Sequence, residues 1–450
     1  MYSIAARFVV HERFSRGVQL AALHPCLRDA DIDAVCHRLG HRWRRRELPP
    51  AATVRSIIYR GLHPDKSIAA VLADLAAAGV GWRAEPTDSA WCQARSRLPE
   101  GLWPALIDDS DQQAQSAAGR AEFFHGRPVD ILDGSTVSMP DERVLAERFG
   151  YANTKHGFSR FPVARVTFVL RAGAETVRQY RLGPYTDDEN HHLWAMSDRM
   201  ERGTILLFDR HLSSFYNLAT LSRRGVDVVT RLHHRRDPQK LIARGRRLGR
   251  DEWLVTFELA EPQWRAYGDP ELPHRLRVRL IRVSFLHNGK RHRLWLVTTL
   301  LNSRRYRRTE VVALYRRRWG IETRIGTLKT LLAMRVLRSK TERGVRTEVA
   351  GRILAYNLVW VLIHQAARQT DVPADRISFA DAVRTILAFS QVLRWMDDPM
   401  ADVLSARMLN RIGAGTNRDR PGRIEPRLIK RDTRRYGFLK EPRDLARLKA

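Results

Sequence analysis

Cysteine is scarce in this chain: three in 450 residues, Cys26, Cys36 and Cys92. So few exclude the disulfide framework that staples small secreted domains. His24, Cys26, Cys36 and His37 lack the paired C-x2-C spacing of a zinc site, and the expected reading is buried or incidental residues. No apolar run is long enough to span a bilayer, and no basic-then-apolar leader opens the chain. Both absences argue against a membrane protein and point to the cytoplasm. Acids are outnumbered, 49 Asp and Glu against 79 Lys and Arg, for a formal charge of +30. That surplus implies a polyanionic partner, nucleic acid before an acidic membrane. The length allows two or three domains and a large core.

What is present is concentrated in Tyr315-Arg316-Arg317-Arg318-Trp319-Gly320-Ile321-Glu322, followed by Lys329. On one continuous helix, Tyr315, Arg318, Glu322 and Lys329 fall within roughly 60° of one another. Leu314, Ile321, Ile325, Leu328 and Leu332 form an adjoining apolar stripe that predicts burial against a core. A carboxylate flanked by cations and a phenol suits metal-dependent phosphodiester chemistry. The alternative is a solvated face with an Arg318–Glu322 ion pair.

Two upstream carboxylates favour the chemical reading. Val129 to Val137 predicts a buried strand with Asp133 near its polar end. Gly203 to Arg210 predicts a second, an apolar run ending in Asp209. Acids at strand ends lie at the sheet rim, where α/β folds place their sites. Asp133, Asp209 and Glu322 would repel one another unless a cation held them. Oxygen-only ligands favour magnesium, with manganese as substitute, and two ions would serve an in-line displacement.

The Asp133-Gly134-Ser/Thr element, the Asp209-Arg210 element and the Tyr-x2-Arg-x3-Glu-x6-Lys spacing resemble the insertion sequence 4 family of DDE transposases. Ala21 to Gly79, with Arg44-Arg45-Arg46-Glu47-Leu48-Pro49, is similar to that family's N-terminal helical domain, and Arg420 to Lys430 to its basic C-terminal segment. The resemblance implies a ribonuclease-H-like α/β core with a β-rich insertion, preceded by a helical domain and followed by helices and a basic tail. It implies Asp133, Asp209 and Glu322 as metal ligands, and Tyr315, Arg318, Lys329 and Arg210 as DNA contacts. It further implies cut-and-paste transposition on double-stranded DNA, both terminal inverted repeats and target, by a homodimer in a synaptic complex. The location implied is the bacterial cytoplasm, at the nucleoid. Hairpin ends would give Trp319 and Trp295 a base to stack on. Trp253 and Trp264 read as structural. A nuclease without strand transfer and an inactive DNA-binding derivative stay open.

Along the chain, residues 1–20 carry little pattern, and 21–107 read as a helical domain and candidate DNA-end binder. Residues 108–127 read as a linker, 128–236 as the first part of the core and 237–300 as the β-rich insertion. Residues 301–400 complete the core, and 401–450 form a basic tail. Within the insertion, Glu252 to Glu258, His274 to Leu286 and Arg291 to Leu300 predict strands with a hairpin at Asn288-Gly289. Arg275, Arg277, Arg279 and Arg282 would form either a phosphate-tracking face or a solvated one. Asp187, Asp188 and Glu189 with His191 and His192 are a rival metal site, against a helix-capping role. His211, beside the Asp209 element, would hold phosphate or serve no special role.

Overall fold

The computed structural model describes residues 23, 26–44, 46–77, 84–119, 124–154, 157–287, 290–393, 395–396, 398–417 and 441. The opening 1–20 segment, the Asn288-Gly289 turn and the tail from residue 418, with Arg420 to Lys430, lie outside the described residues.

Among the described residues five α-helices come first: α1 Asp29–Arg38, α2 Pro50–Leu62, α3 Ile68–Ala77, α4 Asp88–Arg97 and α5 Leu102–Ala118. Pro50 opens α2 where its missing N–H costs nothing, and Thr87 caps α4 by accepting from the Ala90 N–H. α5 runs through the segment expected to be a linker. Its Ser110 and Asp111 are buried, Asp111 against the Thr176 hydroxyl and Ser110 against the Asn357 amide. Small and polar residues there pair across elements, so residues 108–118 belong to the core despite their composition.

The sheet is built from β1 Val129–Ser138, β2 Tyr151–Thr154, β3 Gly157–Arg171, β4 Thr176–Pro184, β5 Ile205–Leu207, β6 Asp227–Arg231, β7 Arg246–Gly249, β8 Glu252–Glu258, β9 Arg275–His287 and β10 Lys290–Thr298. β3 pairs antiparallel with β1 and with β4, whereas β5 lies parallel to β1 and β6 parallel to β5. The central order β4-β3-β1-β5-β6, with α6 Arg143–Phe149, α7 Glu189–Ser197 and α8 Phe215–Arg223 between strands, is the ribonuclease-H-like arrangement. Interrupted connections follow from the chemistry: Asp188 caps α7 at the His191 N–H, and Ser214 caps α8 at the Asn217 N–H.

The β-rich insertion continues this sheet. After α9 Pro238–Ala243, strands β7, β8 and β9, with α10 Glu261–Tyr267 between β8 and β9, add in antiparallel fashion, and β10 pairs with both β9 and β6. Its arginines are mostly committed. Arg279 is fully buried against Glu252, Arg282 is bound to Asp251, and Arg275 meets Glu258 at 3.1 Å, leaving Arg277 exposed. Among the described residues, Arg279 is thereby removed from the outer face of β9, while Arg275 and Arg277 remain exposed on it.

Helices α11 Arg308–Arg316, α12 Arg318–Thr330, α13 Glu342–Thr370, α14 Phe379–Leu393 and α15 Asp398–Ala414 complete the chain. α13 is apolar almost all round and runs through the interior, as such helices must. Its Asn357 amide donates to the Val177 carbonyl and its carbonyl oxygen accepts from the Val177 N–H, fastening α13 to β4. α15 occupies the start of the segment expected to be tail.

Candidate active site

Register brings two of the acids together. The parallel pairing of β1 with β5 ends at Ile131 opposite Leu207. Asp133 and Asp209 each lie two residues beyond that last pair, on adjacent strand tracks about 4.8 Å apart. Asp133 is thus in mid-strand and not at the strand's end, because β1 continues to Ser138 against β3 alone. The rim lies at β5, which stops after three residues.

The signature segment forms two helices. The backbone breaks at Arg317, whose N–H returns to Leu314 while the Gly320 N–H bonds the Arg317 carbonyl. Tyr315 therefore belongs to α11, while Arg318, Glu322 and Lys329 lie on α12, with Arg318 over the Tyr315 ring. The apolar stripe holds: Leu314, Ile321, Ile325, Leu328 and Leu332 are all buried. Tyr315 is buried with them, at 2% exposure, and burial pushes its hydroxyl to a pKa of about 12. A phenol so enclosed is no surface phosphate contact; it is packing beneath the site.

α12 is pinned over β1 by Lys329, whose Nζ donates to the Ser135 hydroxyl at 2.9 Å. Arg318 is buried, reaches Glu322 at 3.5 Å, and has its Nε in the interior without a hydrogen-bond partner. Glu322 itself faces solvent, with 61% of its side chain exposed. Trp319, 44% exposed, presents its ring beside Tyr315 and under Arg318. Trp295 instead packs on Trp253 at 5.6 Å with Arg282 over both, and Arg210 stands in the single turn after Asp209. Trp264 donates to the Leu272 carbonyl at 2.6 Å, in keeping with a structural role.

Asp133 collects the electrostatics. Burial raises its pKa to about 6, and Glu189 and Glu322 add to the rise, while the Gly134 N–H bond at 2.9 Å and Arg318 oppose it. Glu189 is the acid that spacing alone did not bring to the pair. It opens α7, feels the charge of Asp209, and approaches Arg165 at 3.7 Å. The Glu189 carboxylate lies against the Cα of Gly134, where a Cβ would have to displace it. The rest of the rival cluster is structural. Asp188 is the cap, and His192 is buried between the Thr167 hydroxyl at 2.8 Å and Asp187 at 3.5 Å, its pKa driven down to about 4 by burial. Cys26 and Cys36 are buried thiols whose pKa burial raises to about 12 and 11. His211 is exposed, with its ring 6.5 Å from that of His234.

Among the described residues no three acids, histidines or cysteines are gathered tightly enough to hold an ion. The donor set still fits one. It is all oxygen, it crowds like charges around a half-buried carboxylate, and a hard divalent cation would relieve that repulsion.

The raised Asp133 value makes a stability prediction. Its native-state advantage is present below its ordinary pKa of 3.8 and is lost as pH rises through about 6. Asp133→Asn, unfolded by urea with a chelator present, is expected to be more stable than wild type by up to about 3 kcal/mol at pH 8 and nearly the same at about pH 3. Equal stability at both pH values would mean that Asp133 is not electrostatically crowded.

No curated protein matches the chain. Among solved structures, a piggyBac transposase synaptic complex with hairpin DNA, seen by cryo-electron microscopy, aligns at 10% identity over 92% of this chain and 86% of that one, with a TM-score of 0.42. That likeness is too distant to bear on the site. A family model described as a transposase DDE domain matches residues 125–358, just over half of the chain and all three acids. The chain therefore belongs to the DDE transposase family.

Proposed function

We propose that this protein is a cut-and-paste transposase of the insertion sequence 4 type, with Asp133, Asp209 and Glu322 as its catalytic carboxylates. The observation that carries this is the shared offset of Asp133 and Asp209 beyond the last β1–β5 pair, with α12 fastened over them through Lys329. The three carboxylates would hold magnesium, two ions with manganese as substitute, which supplies charge stabilisation to attacking and departing oxygens when bound.

The chain's own groups do the rest. Arg318, buried with a free Nε–H, and Lys329 set positive charge beside the acids, where a scissile phosphate would lie. Water attacks that phosphorus, and the 3′ oxygen leaves with a proton, so the transposon end gains a 3′ hydroxyl. This hydroxyl then attacks a second phosphodiester and displaces its 3′ oxygen. On the opposite strand the product is a hairpin; in target DNA it is the joined product. Trp319, exposed on α12, would stack on a flipped end base if hairpins form. Arg210 contributes charge at the Asp209 corner. Double-stranded DNA is the substrate, two protomers pair the ends, and the location is the bacterial cytoplasm at the nucleoid. No helix among the described residues is long and apolar enough to cross a membrane.

The test is incubation with magnesium, a duplex copied from the DNA flanking the gene, and a supercoiled plasmid. Nicks at the duplex end together with plasmid-joined products are expected. Nicks without joining would indicate a nuclease of the same fold, and binding without nicks an inactive derivative.

A further inference from the structure

Helices α2, α4 and α13 meet where the helical domain joins the core. Gly351 of α13 lies directly against Ile57 of α2, where a Cβ would collide with the isoleucine side chain. Packing this close carries Arg60 of α2 and Arg352 of α13 inward, and Arg95 of α4 joins them. Arg95 is 8% exposed and Arg352 4%, while Arg60 is half-buried. The guanidinium groups of Arg60 and Arg95 stand 5.8 and 5.0 Å from the centre of the Trp91 ring, which is fixed by its own bond to the Ser56 hydroxyl at 2.7 Å.

The three arginines, Trp91 and Glu348 line a cavity. The centre of a water-sized particle has about 10 Å³ to move in there, room for one small ion and too little for a phosphate or sulfate. Its charges do not balance. Glu348 is the one acid lining it among the described residues. That carboxylate already accepts from the Arg338 and Ser339 N–H groups and the Ser339 hydroxyl. It pairs with Arg352 at 2.6 Å, which leaves Arg60 and Arg95 without an ion pair among the described residues. Arg95 spends one N–H on the Ser339 hydroxyl at 3.0 Å, and the Nε–H groups of both Arg60 and Arg95 are buried without a hydrogen-bond partner. A water molecule would satisfy those donors but would not offset two cations held away from bulk solvent; an anion does both. Arg60 and Arg95 also line the open cleft outside, which gives an ion a way in.

We propose that this cavity binds one small monovalent anion, chloride by size and charge, between Arg60 and Arg95. The ion ties α2 to α4 and, through Arg95 and Ser339, to the segment that Glu348 holds at the start of α13. The site is separate from the catalytic carboxylates and stands whether or not the chain cleaves DNA. An ion that binds the folded chain alone stabilises it in proportion to the logarithm of its concentration above Kd, so the occupant is read from stability.

The experiment is thermal unfolding of the full chain in sodium chloride or sodium methanesulfonate at equal ionic strength, joined to diffraction from crystals grown in sodium bromide. Wild type is expected to unfold roughly 2–4 °C higher in about 0.3 M chloride than in methanesulfonate, an anion too large for the cavity. Arg60→Met with Arg95→Met keeps apolar stems against Trp91 and removes both unpaired cations, so this variant is expected to fold and to lose the difference between salts. Arg60→Met alone, which breaks no hydrogen bond, is expected to shrink the difference to less than half. An anomalous bromide peak between the Arg60 and Arg95 Nε atoms is expected in the wild-type crystal. Equal unfolding temperatures of wild type in the two salts would overturn the site and assign the cavity to water. A difference that survives in the variants, or a crystal without bromide in the cavity, would overturn it too.

Discussion

Glu322→Gln is expected to lower DNA cleavage in magnesium by roughly 10³-fold or more while leaving DNA binding and folding intact. Folding is spared because the side chain is largely exposed and its partner Arg318 is held by burial on α12, not by the 3.5 Å pair alone. Binding is spared because one negative charge is removed from a surface that must meet phosphate. Chemistry is lost because an amide neither carries the charge a divalent ion requires nor replaces the third carboxylate of the set. Gel-shift and cleavage assays on one preparation separate these effects. Cleavage at the wild-type rate by the variant would remove Glu322 from the site.

The largest effect on stability is expected at Glu348, one turn and a half into α13. Its buried carboxylate accepts from the backbone N–H groups of Arg338 and Ser339, from the Ser339 hydroxyl at 2.7 Å, and from Arg352 at 2.6 Å. Burial raises its pKa, but Arg352, Ser339, Arg60 and the Arg338 N–H outweigh burial and hold it below the ordinary 4.5. Glu348→Ala strands a buried guanidinium and two amides, at a cost of about 3–5 kcal/mol in urea unfolding at pH 7. The contribution is present above pH 4.5 and is lost as pH falls through the lower native value, so the gap to wild type narrows in acid. A gap that is flat across this range would place the stabilisation in packing. The contrast with Asp133 is instructive. Both carboxylates are partly or fully buried; at Glu348 the donors outweigh burial, whereas at Asp133 burial leads and the neighbouring acids add to it.

Local periodicity made much of this fold legible. The stripe from Leu314 to Leu332, the alternation from β1 to β6, and the strands of the insertion all stand where their patterns placed them. Three features were beyond such patterns. Arg316, Arg317 and Arg318 are ordinary helix formers, so nothing local marks the break that retires Tyr315 into the core. α5 hides its burial behind Ser110 and Asp111, whose partners are 247 and 65 residues away. Glu189 reaches Asp133 only through packing of α7 on the sheet. Arginine counts on β9 likewise overstate free charge, because pairing with Asp251, Glu252 and Glu258 depends on strand register.

Asp133→Asn, Asp209→Asn and Glu322→Gln, compared singly and together, test the central claim that three carboxylates from β1, the end of β5 and α12 make one site. Groups acting as a unit are strongly non-additive. The rate of end cleavage in magnesium is therefore predicted to collapse alike in each single variant, with the triple variant scarcely lower. Independent, multiplicative losses, or normal cleavage by any one of the three, would contradict it.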